Sequence, residues 1–119
     1  MRIRSLVAVA SMVMLLLCSG GASSLTVNQF AALCDSMKGE CGEHPTLQAY
    51  VGGALDLIAV LDEETDYLAK VYCKKPAELF EVSNIIRFML EHREEYATRN
   101  AMLLVVRYLE EKGGCRPEH

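Results

Sequence analysis

No apolar run in this sequence is long enough to span a membrane. The longest, residues 6–17, covers about a dozen positions, where a spanning helix needs roughly twenty. No stretch alternates polar and apolar residues over the length of a strand, which argues against a β-sheet. No internal repeat or low-complexity segment interrupts the chain, so 119 residues predict one domain. There is no basic stripe either. The formal charge is −4, and a nucleic-acid partner is not expected where phosphate neutralisation would dominate the affinity.

Motifs that carry chemistry are missing too. His44, His92 and His119 form no HExxH or H-x-x-x-H pattern, and no GxSxG, P-loop or dinucleotide fingerprint occurs. Carboxylate pairs such as Glu94–Glu95 and Glu110–Glu111 fall on predicted helix surfaces, where they read as solvated charge. The expectation is a chain that is not an enzyme and has no cofactor and no metal.

What is present begins with an export signal. Arg2 and Arg4 precede the apolar run, and small residues follow it. That order predicts a secretory signal peptide over residues 1–22. Gly20 and Ala22 stand three before and one before a cut after Ala22. An uncleaved anchor is the alternative, and lipidation at Cys18 another, although Leu17 is large for the residue before a lipidated cysteine. Export to the periplasm is expected, with no membrane attachment after cleavage and with residues 23–119 as the mature domain. The signal holds two of the 12 basic residues and none of the 16 acidic ones, so the charge falls from −4 to −6. A domain this small has a modest core and often needs covalent staples.

Four cysteines remain after cleavage: Cys34, Cys41, Cys73 and Cys115. An even count in a small exported chain implies disulfides, with three connectivities open. The pairing expected is Cys34–Cys41, clipping one helix end to the next loop, with Cys73–Cys115, tying the chain's end to its middle. In the chain-entropy model these stabilise by roughly 2.5 and 4 kcal/mol. Zinc is the rival use, but the paired CxxC spacing it favours is absent.

Apolar spacing predicts an all-α, compact bundle of four short helices. The first covers residues 27–37, opened by a Thr26/Gln29 capping box. The second starts near Thr46, with an apolar stripe from Leu47 to Leu61, and frays or continues to Tyr72. Pro76 suits the first turn of a third, whose buried face runs from Leu79 to Leu90. The fourth covers residues 96–111. Gly52 and Gly53 lie inside the second helix at a cost of about 1 kcal/mol each. Close approach of another helix, from the same chain or a second copy, would explain them. Phe80 and Phe88 fall off the third helix's main stripe.

The order of several short elements carries a resemblance. Cys34 lies near the first helix's end, and Cys41 precedes Tyr50-Val51-Gly52-Gly53, a Y-x-x-G element. Cys73-Lys74-Lys75-Pro76 loosely matches C-x-P. An apolar helix then leads to His92-Arg93-Glu94, and Tyr108-Leu109 leads to Gly113-Gly114-Cys115. From Cys34 to Cys115 the chain resembles the Rap/Tai family of immunity proteins, which protect against type VI secretion amidase effectors. It departs from that pattern at Arg93, where the family has proline, and at Gly113-Gly114, where it has F-P.

The resemblance implies a periplasmic inhibitor that binds a peptidoglycan amidase effector and occludes its active site. It also implies a homodimer, for which the seam expected is the apolar surface near Gly52, Gly53 and the third helix. The segment expected to enter the amidase cleft is residues 61–67, with Leu61 and Tyr67 as anchors and Asp62, Glu63, Glu64 and Asp66 as steering charge. The alternative function is a small periplasmic helical binding module or acid-stress chaperone.

Overall fold

The computed structural model describes residues 24–115. The predicted signal peptide and its cut, Cys18 and His119 lie outside the described residues. The fold is all-α, with no strand among the described residues. The described residues form five α-helices rather than four: α1 (Val27–Ser36), α2 (Pro45–Thr65), α3 (Tyr67–Val71), α4 (Val82–Glu91) and α5 (Ala101–Lys112). A 3-10 turn, Cys41–Glu43, joins α1 to α2.

The capping box opens α1 as expected. Thr26 Oγ1 accepts from the Gln29 N–H at 3.1 Å, and Gln29 Oε1 accepts from the Thr26 N–H at 2.9 Å. Val27, Phe30, Ala31 and Cys34 then fall on one buried face. Cys34 is bonded to Cys41 with their Cα atoms 5.2 Å apart, which pins the loop leaving α1.

The second predicted segment splits in two. Asp66 takes a left-handed conformation, φ 54° and ψ 39°, and ends α2; α3 follows at once. The third helix starts at Val82, six residues after Pro76. Lys75, at φ 45°, turns the chain before the proline, and residues 76–81 make tight turns with bonds from Leu79 N–H to Pro76 O and Glu81 N–H to Glu78 O.

The fourth helix starts at Ala101, not near residue 96. The carbonyls of Arg99 and Ala97 accept from the N–H groups of Val27 and Asn28, both at 2.9 Å. They satisfy donors that α1 cannot satisfy itself. Asn100 then caps α5, its Oδ1 accepting from the Met102 N–H at 2.9 Å.

α5 packs on α4, α2 and α1, and α2 also packs on α4. The enclosed core is one apolar cluster with no buried charged or polar residue among the described residues. Phe88 belongs to this core, edge-on to Tyr108 at 5.4 Å, so it is not available to a seam between copies. Phe80 lies outside any helix, against Tyr72.

The chain's end is latched to its middle. Cys73 is bonded to Cys115, with Cα atoms 4.9 Å apart. The Gly113 carbonyl accepts from the N–H groups of Cys73 and Lys74, both at 3.0 Å. A Cβ at Gly113 would fall on the Val71 carbonyl, so only glycine fits this approach.

Candidate functional site

The acidic segment singled out from the sequence lies where α2 ends. α2 is 21 residues long, about 31 Å at 1.5 Å per residue. Pro45 stands at its first position, and His44 Nδ1 accepts from the Thr46 N–H at 3.3 Å. Leu47, Val51, Ala54 and Ile58 are buried and fix the helix against the core. Beside this buried stripe other apolar residues stay in solvent: Leu57 is 61% exposed, Val60 54% and Leu61 41%.

Residues 61–65 are the last turn of this helix, not a protruding loop. The turn is tied down locally. Thr65 Oγ1 donates to the Leu61 carbonyl at 2.6 Å, and the Asp66 N–H donates to the Asp62 carbonyl at 2.9 Å. Asp62 has a structural task, since its Oδ1 accepts from the Leu68 N–H at 2.8 Å and fastens α3 to α2. Glu63, Glu64 and Asp66 point into solvent beside Leu61.

Tyr67 does not join this edge as an exposed anchor. Its side chain packs against the core, and its hydroxyl is buried without a hydrogen-bond partner. Burial, then the charge of Glu110, push that hydroxyl's pKa up. Glu110 itself pairs with Arg107 at 3.0 Å. Leu61, Glu63, Glu64 and Asp66 are thus accessible at this end of α2, whereas Asp62 and Tyr67 hold it in place.

The sequence reading missed Leu57 and Val60, which extend the apolar part of this edge back along α2. They sit within a helix whose apolar residues looked like one stripe. The excess of apolar positions over a single face was the signal that could have separated them. Among the described residues no helix packs on Gly52 or Gly53, since a Cβ at either would meet nothing within 4 Å.

The chemistry elsewhere is sparse. An open cleft of about 370 Å³ lies between residues 76–79, α4 and the end of α5, with Phe88 and Tyr108 beneath a rim that includes Arg87, Lys112, Glu78 and Glu91. Among the described residues no three His, Cys, Asp or Glu side chains cluster to hold a metal ion. No described helix is long and apolar enough to cross a membrane. Comparison with known proteins finds no matching family model, no similar curated protein and no similar solved structure.

Proposed function

We propose that the protein is a periplasmic inhibitor that binds a peptidoglycan amidase effector and blocks its active site, as the resemblance to immunity proteins implies. The observation that carries this reading is the edge at the end of α2. Leu57, Val60 and Leu61 expose apolar surface beside Glu63, Glu64 and Asp66, on a helix fixed by four buried residues. An edge held this rigidly loses little entropy on binding. Its charge steers it toward a basic cleft rim and speeds encounter more than it deepens affinity. The two disulfides fit an oxidising compartment, extracellular or periplasmic; the periplasm is where such an amidase would act.

The test is association with amidase effectors whose catalytic cysteine has been replaced. Wild-type protein should bind one of them and inhibit its active form. Glu63→Gln, Glu64→Gln and Asp66→Asn together leave the Asp62 bond to α3 in place. The triple variant should associate about tenfold more slowly at low salt, with the difference shrinking as salt rises. Unchanged association kinetics in the folded variant would remove this edge from the interface, and failure to bind any amidase would end the reading.

A further inference from the structure

The cleft between residues 76–79, α4 and the end of α5 is rimmed with charge that the described fold does not use. Asn84, Arg87, Phe88 and Glu91 recur at three- and four-residue spacing along α4 and form one wall. Tyr108 and Lys112, one turn apart on α5, form the other. Among the described residues none of Arg87, Lys112, Glu78 and Glu91 enters an ion pair, although Arg87 and Glu91 stand one helical turn apart.

The two cations and the two carboxylates cancel, so the lining has no net charge. A ligand with one sign of charge would meet its own sign on the rim, and an uncharged ligand would gain nothing from either. The complement is a zwitterion.

The charges are also sorted along the cleft. Arg87 turns away from Glu91, and its Nη1 donates to Asn84 Oδ1 at 3.4 Å. Lys112 precedes Gly113, whose carbonyl holds residues 73 and 74, so it stands at the same end, near Pro76. Glu91 marks the other end, about 10 Å from Asn84 along α4 at 1.5 Å per residue. Glu78 shares the cationic end and offsets part of its charge, which suits a single carboxylate better than a multivalent anion. Phe88 and Tyr108 lie between the ends; both are core residues, and the cleft meets only the margins of their rings.

We propose that this cleft binds a short linear peptide with free ends. Its carboxylate accepts from Arg87 and Lys112, its ammonium donates to Glu91, and an apolar middle side chain rests on Phe88 and Tyr108. The spacing sets the length: three extended residues span about 10 Å, whereas a free amino acid holds both charges within one residue. The volume agrees, since about 370 Å³ is at the small end of ligand sites, roughly 300–1,000 Å³. Exposed charges are worth little each, so the dissociation constant is on the order of 100 µM. No α2 residue lines the cleft, so the proposal goes beyond the inhibitor reading and does not depend on it.

Nuclear magnetic resonance titration of the exported chain, both disulfides formed and no amidase present, tests it with the tripeptide Ala-Phe-Ala. Amide shifts should concentrate in residues 76–91 and 108–112. Acetylating the peptide's N-terminus or amidating its C-terminus should each weaken binding at least about threefold. Free phenylalanine and inorganic phosphate should bind at least about tenfold more weakly than the tripeptide. Glu91→Gln and Arg87→Gln alter exposed side chains and should keep the fold, as circular dichroism can verify. Glu91→Gln should weaken the free tripeptide about threefold and leave the acetylated one unchanged; Arg87→Gln should discriminate the free from the amidated peptide in the same way. No binding at about 5 mM tripeptide, blocked ends that bind as well as free ones, phenylalanine equal to the tripeptide, or a Glu91→Gln effect that ignores acetylation would each overturn the proposal. Any of these results would leave the inhibitor reading untouched, because that reading is tested on α2 with an amidase.

Discussion

α2 and α4 are both amphipathic helices, and they dispose of their apolar residues differently. α4 buries Ile85, Ile86, Phe88 and Met89 and leaves Arg87 and Glu91 outside. α2 buries Leu47, Val51, Ala54 and Ile58 and keeps Leu57, Val60 and Leu61 in solvent. α4 has one apolar face, and the core takes most of it, with Val82 and Leu90 half-buried at its ends. α2 has apolar residues on two sides, and the fold covers only one. Apolar content in a helix thus measures surface available for burial, not surface buried within its own chain.

Substitutions can widen or erase that contrast. Met89→Ala, at a position with no solvent exposure, should lower stability by about 3 kcal/mol in urea denaturation, through lost transfer energy and a cavity. A loss below about 1 kcal/mol would mean that α4 is less tightly enclosed than it looks. Gly52→Ala with Gly53→Ala should act in the opposite direction. Both positions are open, so the pair should raise stability by about 1.5 kcal/mol through helix propensity alone, and a thermal scan showing destabilisation would reveal a hidden contact.

Leu57→Ser should change stability by less than about 0.5 kcal/mol. A core-sized loss would place Leu57 in the α4 class and abolish the distinction.

Alkaline titration is the mildest probe. Burial raises the pKa of Tyr50 on α2, Tyr67 on α3 and Tyr108 against α4; nearby acids add to the effect for the latter two. The folded state favours the neutral phenol, so the stabilisation is complete below the ordinary value near pH 10 and is lost as pH rises through the raised values. Ultraviolet absorbance should show delayed phenolate formation, followed by unfolding. Tyr67→Phe should remove one delayed ionisation at little cost, because its hydroxyl has no partner to lose. A clear drop in stability would show that the hydroxyl is hydrogen-bonded in solution.

Local signals were legible in the sequence. The capping box and the apolar spacing that predicts helices depend on residues a turn apart, where spacing is a direct physical constraint. Helix starts at Val82 and Ala101 were not legible. The second is set by carbonyls of residues 97 and 99 that serve the N-terminus of α1, some seventy positions away. At the candidate edge, charge was readable and orientation was not. Nothing local says that Asp62 will hold α3 or that Tyr67 will turn inward, since both depend on how the chain reverses at Asp66. The two glycines were visible as an oddity, but only packing could show that none of the described helices uses them.

The two staples differ in how soon each can close as the chain emerges from its N-terminus. Cys34 and Cys41 are seven residues apart and meet within a turn of α1's exit. Cys73 and Cys115 are 42 apart, and the Gly113 latch against Val71 exists only when the last helix is in place. Short loops close faster and at lower entropic cost. Cys34 and Cys41 can therefore be oxidised together before Cys73 is exposed, which leaves Cys73 a single thiol with no local competitor. When Cys115 arrives, the remaining pair is determined. The order of residues along the chain thus favours these two pairings over the two other connectivities of the four cysteines.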